Sequence, residues 1–304
     1  MDKIKAYKKK ELVKLISSLD NPEFSSVCNE NIHEADLFEL LFNEIKPTKF
    51  TDKTVLGIDI YHYSQYKALE QALIPILFKL IYDKVAELSI ASSSFIFQKY
   101  KAGKNFNPNF INTGDGGFQI FDTPIHALAF AINFQMIVRY YNSHRYFPKL
   151  RKIIGPLSLR YALTTDKIYK LDNNFFGTAI INNSRILMKD SLNRFLLDNN
   201  TYEWFLHKIN GIENLQLISL ENLKKLECFK DYKETDGENK IYTKEKGFDF
   251  EKMLSCDIQK IGKITAKSTE LSIYNLHVQY LGKLGKSEGK TIITLGNLNT
   301  SGIN

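Results

Sequence analysis

Cysteine is scarce in this chain. Cys28, Cys228 and Cys256 are widely spaced and form no C-x-x-C pair, so neither a disulfide framework nor a thiolate zinc site is indicated, and a reducing cytosol fits. Histidine is just as dispersed: His33, His62, His126, His144, His207 and His277 include no pair four apart on a predicted helix, so no imidazole metal site is read. Long apolar runs are missing too. The most apolar stretches are broken by Lys79, Asp83, Asn133, Gln135 and Arg139, and the charged N-terminus has no apolar h-region. A soluble, unexported, cytoplasmic protein is expected. No internal repeat is present.

What the chain has is an ordinary globular composition, 304 residues with 43% hydrophobic content, enough to bury a sizeable core. Lys and Arg total 41 against 34 acids, a net charge of +7. That balance favours anionic partners such as nucleotides, although a Lys-rich composition alone gives the same number. Lys3, Lys5, Lys8, Lys9, Lys10 and Lys14 read as a solvated helix face rather than a nucleic-acid arm. The aromatics of RYYNSHRYF (139 to 147) read as an exposed helix end, so neither nucleic-acid nor membrane binding is expected.

Apolar spacing divides the chain. Leu12, Leu15, Ile16 and Leu19, then Leu37, Leu40 and Leu41, predict a helical extension over residues 1–50. VLGIDI (55 to 60) predicts a buried strand, followed by a long helix with Leu69, Ala72, Leu73, Ile76, Leu77, Leu80 and Ile81 on one face and Pro75 opposite. SSFIFQ (93 to 98) and the segments flanking Asp115 predict strands. Thr123 and Pro124 open a helix running to about Tyr141. LSLRYALTTDKIYKL (157 to 171) predicts a strand, Ala179 to Lys189 a helix, and NLQLISL (214 to 220) a last core strand. This order contains the split β-α-β plan of an α+β, ferredoxin-like antiparallel sheet, with helices over one face. The core is expected to span residues 51–222. Residues 223–304 are expected to hold a charged linker, KDYKETDGENKIYTKEKGFDF, and a small β-rich extension containing LSIYNLHVQYL and KTIITL.

Two acids are candidates for chemistry. Asp59 ends the first predicted strand, and Asp115 sits among Gly114, Gly116 and Gly117, residues that permit a tight turn and the close approach of a ligand. On neighbouring strands the two carboxylates would reach one rim, where hard oxygen ligands suit Mg²⁺ or Mn²⁺ and a pair of ions can clamp a phosphoryl displacement. The spacing fits equally well with Asp59 capping a turn and Asp115 serving as a turn residue.

GIDIYHYS (57 to 64) resembles the metal-binding motif of class III nucleotidyl cyclases through Asp59, Ile60, Tyr63 and Ser64, and TGDGGF resembles the Gly-Asp turn of that family. FFGTAIINNSR (175 to 185) is similar to a third family block in the spacing of Gly177 and Arg185; Ile181 holds the place of the family's Asn, with Asn182 one position later. The resemblance covers roughly residues 50 to 220, with 51–222 as the catalytic domain. It implies a homodimer with two sites at the subunit interface. Asp59, Asp115 and the carbonyl of Ile60 would hold two Mn²⁺ or Mg²⁺ ions per site, and Asn182 and Arg185 would serve catalysis, the arginine arriving from the other chain. The plain alternative for Arg185 is a surface ion pair. TGDGGF lacks the second acid of a diguanylate synthase signature.

Where adenylate cyclases of the family read the purine with Lys and Asp, this chain has Ile111 and Asn174, which can neither donate as an ammonium nor accept as a carboxylate. Tyr63 and the tail GNLNTSGIN resemble the pyrimidine cyclases of the Pycsar bacterial anti-phage system. That resemblance implies UTP converted to cyclic UMP, sensed by a separate effector, with Tyr63, Ile111 and Asn174 around the base. CTP and cyclic CMP, a purine cyclase with unusual contacts, or a catalytically silent nucleotide-sensing scaffold are the alternatives. Tyr63 also reads as a strand-end packing aromatic.

Overall fold

The computed structural model describes residues 49–103, 106–171, 174–233, 252–266, 269–283 and 290–303, with isolated positions before residue 49. The helical extension expected over residues 1–50 and most of the charged stretch 231–251 lie outside the described residues. Nine described strands form one sheet. The central strand is β1 (Phe50–Ile60), flanked by β3 (Gly116–Phe121) and β4 (Leu159–Leu171); beyond β3 lies β2 (Phe110–Asn112). All these pairings are antiparallel. The order β2-β3-β1-β4, with α1 (Ala68–Ser92) and the short α2 (Gln98–Gly103) after β1 and α3 (Pro124–Asn142) and the short α4 (Pro148–Ile154) after β3, is the expected ferredoxin-like arrangement within an α+β fold. The other edge of β4 takes β5 (Asn174–Gly177) and, in parallel, β6 (Phe195–Asp198). The sheet then continues through β8 (Thr269–Lys283) to β7 (Lys252–Ala266), with β9 (Lys290–Leu295) also paired to β8.

β1 alternates as a strand covered on both sides must. Leu56, Ile58 and Ile60 face the main core, built with α1 (Ala68–Ser92) and α3 (Pro124–Asn142), while Val55 and Gly57 face α5 (Thr178–Lys189). Helices therefore lie on both faces, not on one. α5 approaches closely because Gly57 has no side chain: a Cβ there would stand 1.9 Å from Asn183 Oδ1. The Asn183 side chain fills the gap, its Nδ2 donating to the carbonyls of Val55 (2.9 Å) and Ala162 (3.0 Å).

Three local expectations are corrected. Residues 93–98 form a turn leading into α2 (Gln98–Gly103), with Phe95, Ile96 and Phe97 fully buried. A short apolar run satisfies burial in either form, and periodicity does not separate the two. Residues 212–217 are a 3-10 helix where a strand was expected. In α1 the buried face is Ile74, Leu77, Phe78, Ile81, Tyr82 and Val85, whereas Leu69, Ile76 and Leu80 are 65%, 56% and 36% exposed. That helix is apolar on two adjoining faces, and packing against α3 selects one: Phe78 meets Phe134 at 5.5 Å and Asn133 bonds Ser89 at 3.0 Å.

His126 near the start of α3 is fully buried against Phe97, Tyr100 and Phe229, with Nδ1 sharing a 2.7 Å hydrogen bond with Thr123 and Nε2 unpartnered. Burial holds its imidazole neutral, down to about 4 from 6.5, against the opposing pull of Asp122. Between those values the unfolded chain binds more protons than the folded one. Stability is therefore expected to fall as pH drops from about 6.5 towards 4, and His126→Phe to flatten that limb in denaturant titrations run across the range.

Candidate active site

β1 ends in Ile58, Asp59 and Ile60. Its register sets Asp59 opposite Gly116 on β3 and opposite Arg160 on β4, so the neighbours of this carboxylate are dictated by strand pairing. The turn carrying Asp115 is tied to the same strand end, because Ile60 N donates to the Asp115 carbonyl at 3.2 Å. The structure thus brings Asp59, Ile60 and Asp115 together. Within the turn, Gly114 takes a positive φ of 97° and donates its N–H to Asn112 Oδ1 at 2.7 Å. Gly116 serves packing: a Cβ there would stand 2.1 Å from the Ile58 carbonyl oxygen, so the turn lies on β1 only without one.

Asp59 is partly buried, its side chain 18% exposed. Burial raises its carboxyl above the ordinary carboxylate range; the hydrogen bond and charge of Arg160 pull it down, and the nearby charge of Asp115 pushes it up. Arg160 Nε donates to Asp59 Oδ2 at 2.5 Å while Nη1 donates to the Asp190 carbonyl, also at 2.5 Å. This guanidinium was not singled out from the sequence, where it reads as one more polar residue of an alternating strand. A signal existed: the chain's arginines, Arg139, Arg145, Arg151, Arg160, Arg185 and Arg194, all fall between 139 and 194, while its other cations are lysines.

The other expected residues lie apart from this cluster. Tyr63 sits in a short 3-10 turn, packs against the main core and donates its hydroxyl to the Gln71 carbonyl at 3.1 Å. Ile111 is two strands from β1, paired with Phe118 on the α5 side of the sheet. Asn174 is exposed at the start of β5, opposite Leu171. Leu171 is eleven positions along β4 from Arg160, roughly 35 Å of strand, so Asn174 is at the far end of the sheet from its own chain's acids. On α5, Ala179, Asn182, Asn183, Ile186 and Leu187 are buried, and Arg185 is half-buried on the flank. Its Nη1 donates to Asn182 Oδ1 at 3.4 Å, and no described hydrogen bond or ion pair joins Arg185 to Asp59 or Asp115. Asn182 is 3% exposed, and Ile181 beside it is 52% exposed.

No protein-family model and no curated protein matches this chain. Solved structures do. An adenylate/guanylate cyclase/hydrolase from Silicibacter pomeroyi is 13% identical with a TM-score of 0.44, over 75% of this chain and 96% of that one. The adenylyl cyclase CyaB from P. aeruginosa is 13% identical with a TM-score of 0.40, over 79% and 98%. The guanylate cyclase domain of RhGC from Catenaria anguillulae, in complex with GTP, is 11% identical with a TM-score of 0.40, over 74% and 95%. Similarity this distant assigns no chemistry, which rests on the side chains of this chain.

Gly116→Ala is expected to lift the Asp115 turn from β1 and to cost about 1–3 kcal/mol of stability in denaturant unfolding.

Proposed function

We propose that the protein is a metal-dependent nucleotidyl cyclase acting on a pyrimidine nucleoside triphosphate, UTP foremost, to give 3′,5′-cyclic UMP and pyrophosphate. The observation that carries the reading is the meeting of Asp59 and Asp115 at one strand end, with a guanidinium already on Asp59. Two carboxylates and the Ile60 carbonyl form an all-oxygen donor set. Among the described residues no third His, Cys, Asp or Glu joins them, which suits Mg²⁺ or Mn²⁺, ions that complete their shells with water and substrate phosphate. When bound, such ions supply charge neutralisation of the phosphates and a more acidic ribose 3′-hydroxyl.

The chain's own groups divide the remaining work. Arg160 neutralises Asp59 in the free protein; with a triphosphate present its fork has a better-matched acceptor in the phosphate oxygens. The ribose O3′ forms a bond to the α-phosphorus, the bond to the bridging oxygen breaks, pyrophosphate leaves with that electron pair, and the hydroxyl proton passes to solvent. Arg185 has no described bond to its own chain's acids, and its role in stabilising charge on the α-phosphoryl group is assigned to the site of a second copy of the chain, where Asn182 would hold it. The same argument makes Asn174 a contributor in trans. Ile111 and Asn174 lack the charged purine-reading groups, which supports a pyrimidine, and Tyr63 is proposed to limit the space for the base. The biological role follows the Pycsar resemblance: a defence signal made for a separate effector. A second reading, a silent nucleotide-binding scaffold, draws on the Arg160 contact to Asp59 and on the burial of Asn182.

Incubation of the purified protein with all four nucleoside triphosphates and Mn²⁺ is expected to yield cyclic UMP by chromatography and mass spectrometry. Cyclic CMP would move the specificity, and nucleotide binding without any cyclic product would establish the scaffold instead. Asp59→Asn and Asp115→Asn should each reduce turnover by about 10²-fold or more. Arg185→Ala should do the same alone, and mixing it with Asp59→Asn should restore turnover through hybrid dimers. Absence of rescue, with hybrids demonstrated, contradicts an arginine acting in trans.

A further inference from the structure

We propose that the C-terminal strap, residues 297–303, together with the buried Asp190–Arg194 pair, positions Arg160 on Asp59, so that docking of the strap and the setting of this guanidinium are energetically linked. Arg194 and Asp190 are each 2% exposed. A guanidinium so buried is tolerated only with its donors satisfied. Nε and Nη2 of Arg194 reach Asp190 Oδ1 at 2.8 and 2.7 Å, and the acceptor for Nη1 is the Ser301 carbonyl, 2.7 Å away, on a strap most of whose residues are exposed. Removing the strap leaves one donor of a buried cation without its acceptor.

Asp190 transmits the consequence. Its carboxylate is held by Arg194 and by the N–H of Leu192 at 3.2 Å, its own N–H donates to the Ile186 carbonyl at 3.0 Å, and its carbonyl receives Nη1 of Arg160. Arg160 is therefore gripped at two points, and one grip depends on Arg194. A second route runs parallel. Asn297 Nδ2 donates to Asn193 Oδ1, Asn193 Nδ2 to Ser158 Oγ, both at 3.0 Å, and the Ser158 carbonyl accepts the N–H of Tyr61, two residues beyond Asp59. The Arg194 carbonyl also accepts the N–H of Tyr161, next to Arg160.

The strap is built to hold one shape. Asn297 Oδ1 accepts from Asn299 N and Asn299 Oδ1 from Ser301 N, each at 2.9 Å, while Asn275 Nδ2 bonds the carbonyls of both asparagines. Ile303, 4% exposed, closes it by packing in the cluster that contains Ile186 and Leu187 of α5. Linkage is reciprocal: whatever lifts the strap loosens Arg160, and whatever draws Arg160 away weakens the strap. What Arg160 does to a substrate rests on the cyclase reading; the coupling itself does not.

The test is NMR of the full chain labelled with ¹⁵N-arginine, with Arg160→Lys assigning the Arg160 Nε–H signal. Truncation after Leu298, Arg194→Lys and Asn299→Ala should each speed solvent exchange of that proton by about tenfold. Leu77→Ala, which destabilises the opposite face of the sheet, should leave it unchanged at temperatures where the protein stays folded. Folded strap variants whose Arg160 signal matches the parent overturn the proposal, and Asn299→Ala decides the matter if the truncated chain fails to fold. Where turnover is measurable, the strap variants should raise KM for triphosphate more than they lower kcat. A chain with no turnover at all would count against the cyclase reading while leaving the exchange result to stand.

Discussion

The packing of Gly116 onto the Ile58 carbonyl is the contact from which the site follows. It lets β3 and its turn lie close enough to β1 for Ile60 to bond the Asp115 carbonyl, and this backbone bond sets a second carboxylate beside Asp59. Withdrawal from water, and to a smaller degree the charge of Asp115, raises the Asp59 carboxyl. Arg160 offsets it from the opposite strand. The free protein therefore keeps an internal cation where the proposed reaction needs an external one, and exchange between them becomes part of substrate binding. An exposed pair of this kind would be worth little, but burial on both sides gives its rearrangement consequences.

The frame around this exchange is an aromatic core on one face of the sheet and a helix tied by side-chain hydrogen bonds on the other. Beneath β1, α1 and α3 form a core of interlocking aromatics in which Tyr82 bonds Gln119 and Asn133 bonds Ser89. Above it, α5 is pinned through Asn183, and its C-terminal end runs into Asp190, Arg194 and the strap. The expected catalytic arginine and the cation on Asp59 thus both depend on the α5 side, whereas Asp59 and Asp115 are fixed by the sheet.

Much of this was legible in the chain. The short β-branched run VLGIDI, the Thr123-Pro124 helix start and the glycine turn around Asp115 are local signals, and β1, α3 and the turn formed where those signals lie. Beyond the clustering of the arginines, the place of Arg160 was not legible, because it comes from a cross-strand register that pairs it with a residue 101 positions away. The tail GNLNTSGIN was read for its resemblance alone, and its acceptor role was hidden because it is played by the Ser301 carbonyl, a group every residue possesses. The exposed face of α1 failed for a different reason: periodicity names an apolar stripe, and only tertiary packing chooses between two adjoining ones.

A crystal structure with Mn²⁺ and a non-hydrolysable UTP analogue, read by anomalous scattering at the manganese edge, tests the central claim most directly. The account predicts manganese peaks between the carboxylates of Asp59 and Asp115, with the Arg160 guanidinium moved from Asp59 to a phosphate oxygen. Manganese bound elsewhere, or nucleotide bound with Arg160 still on Asp59 and no metal between the acids, would contradict it.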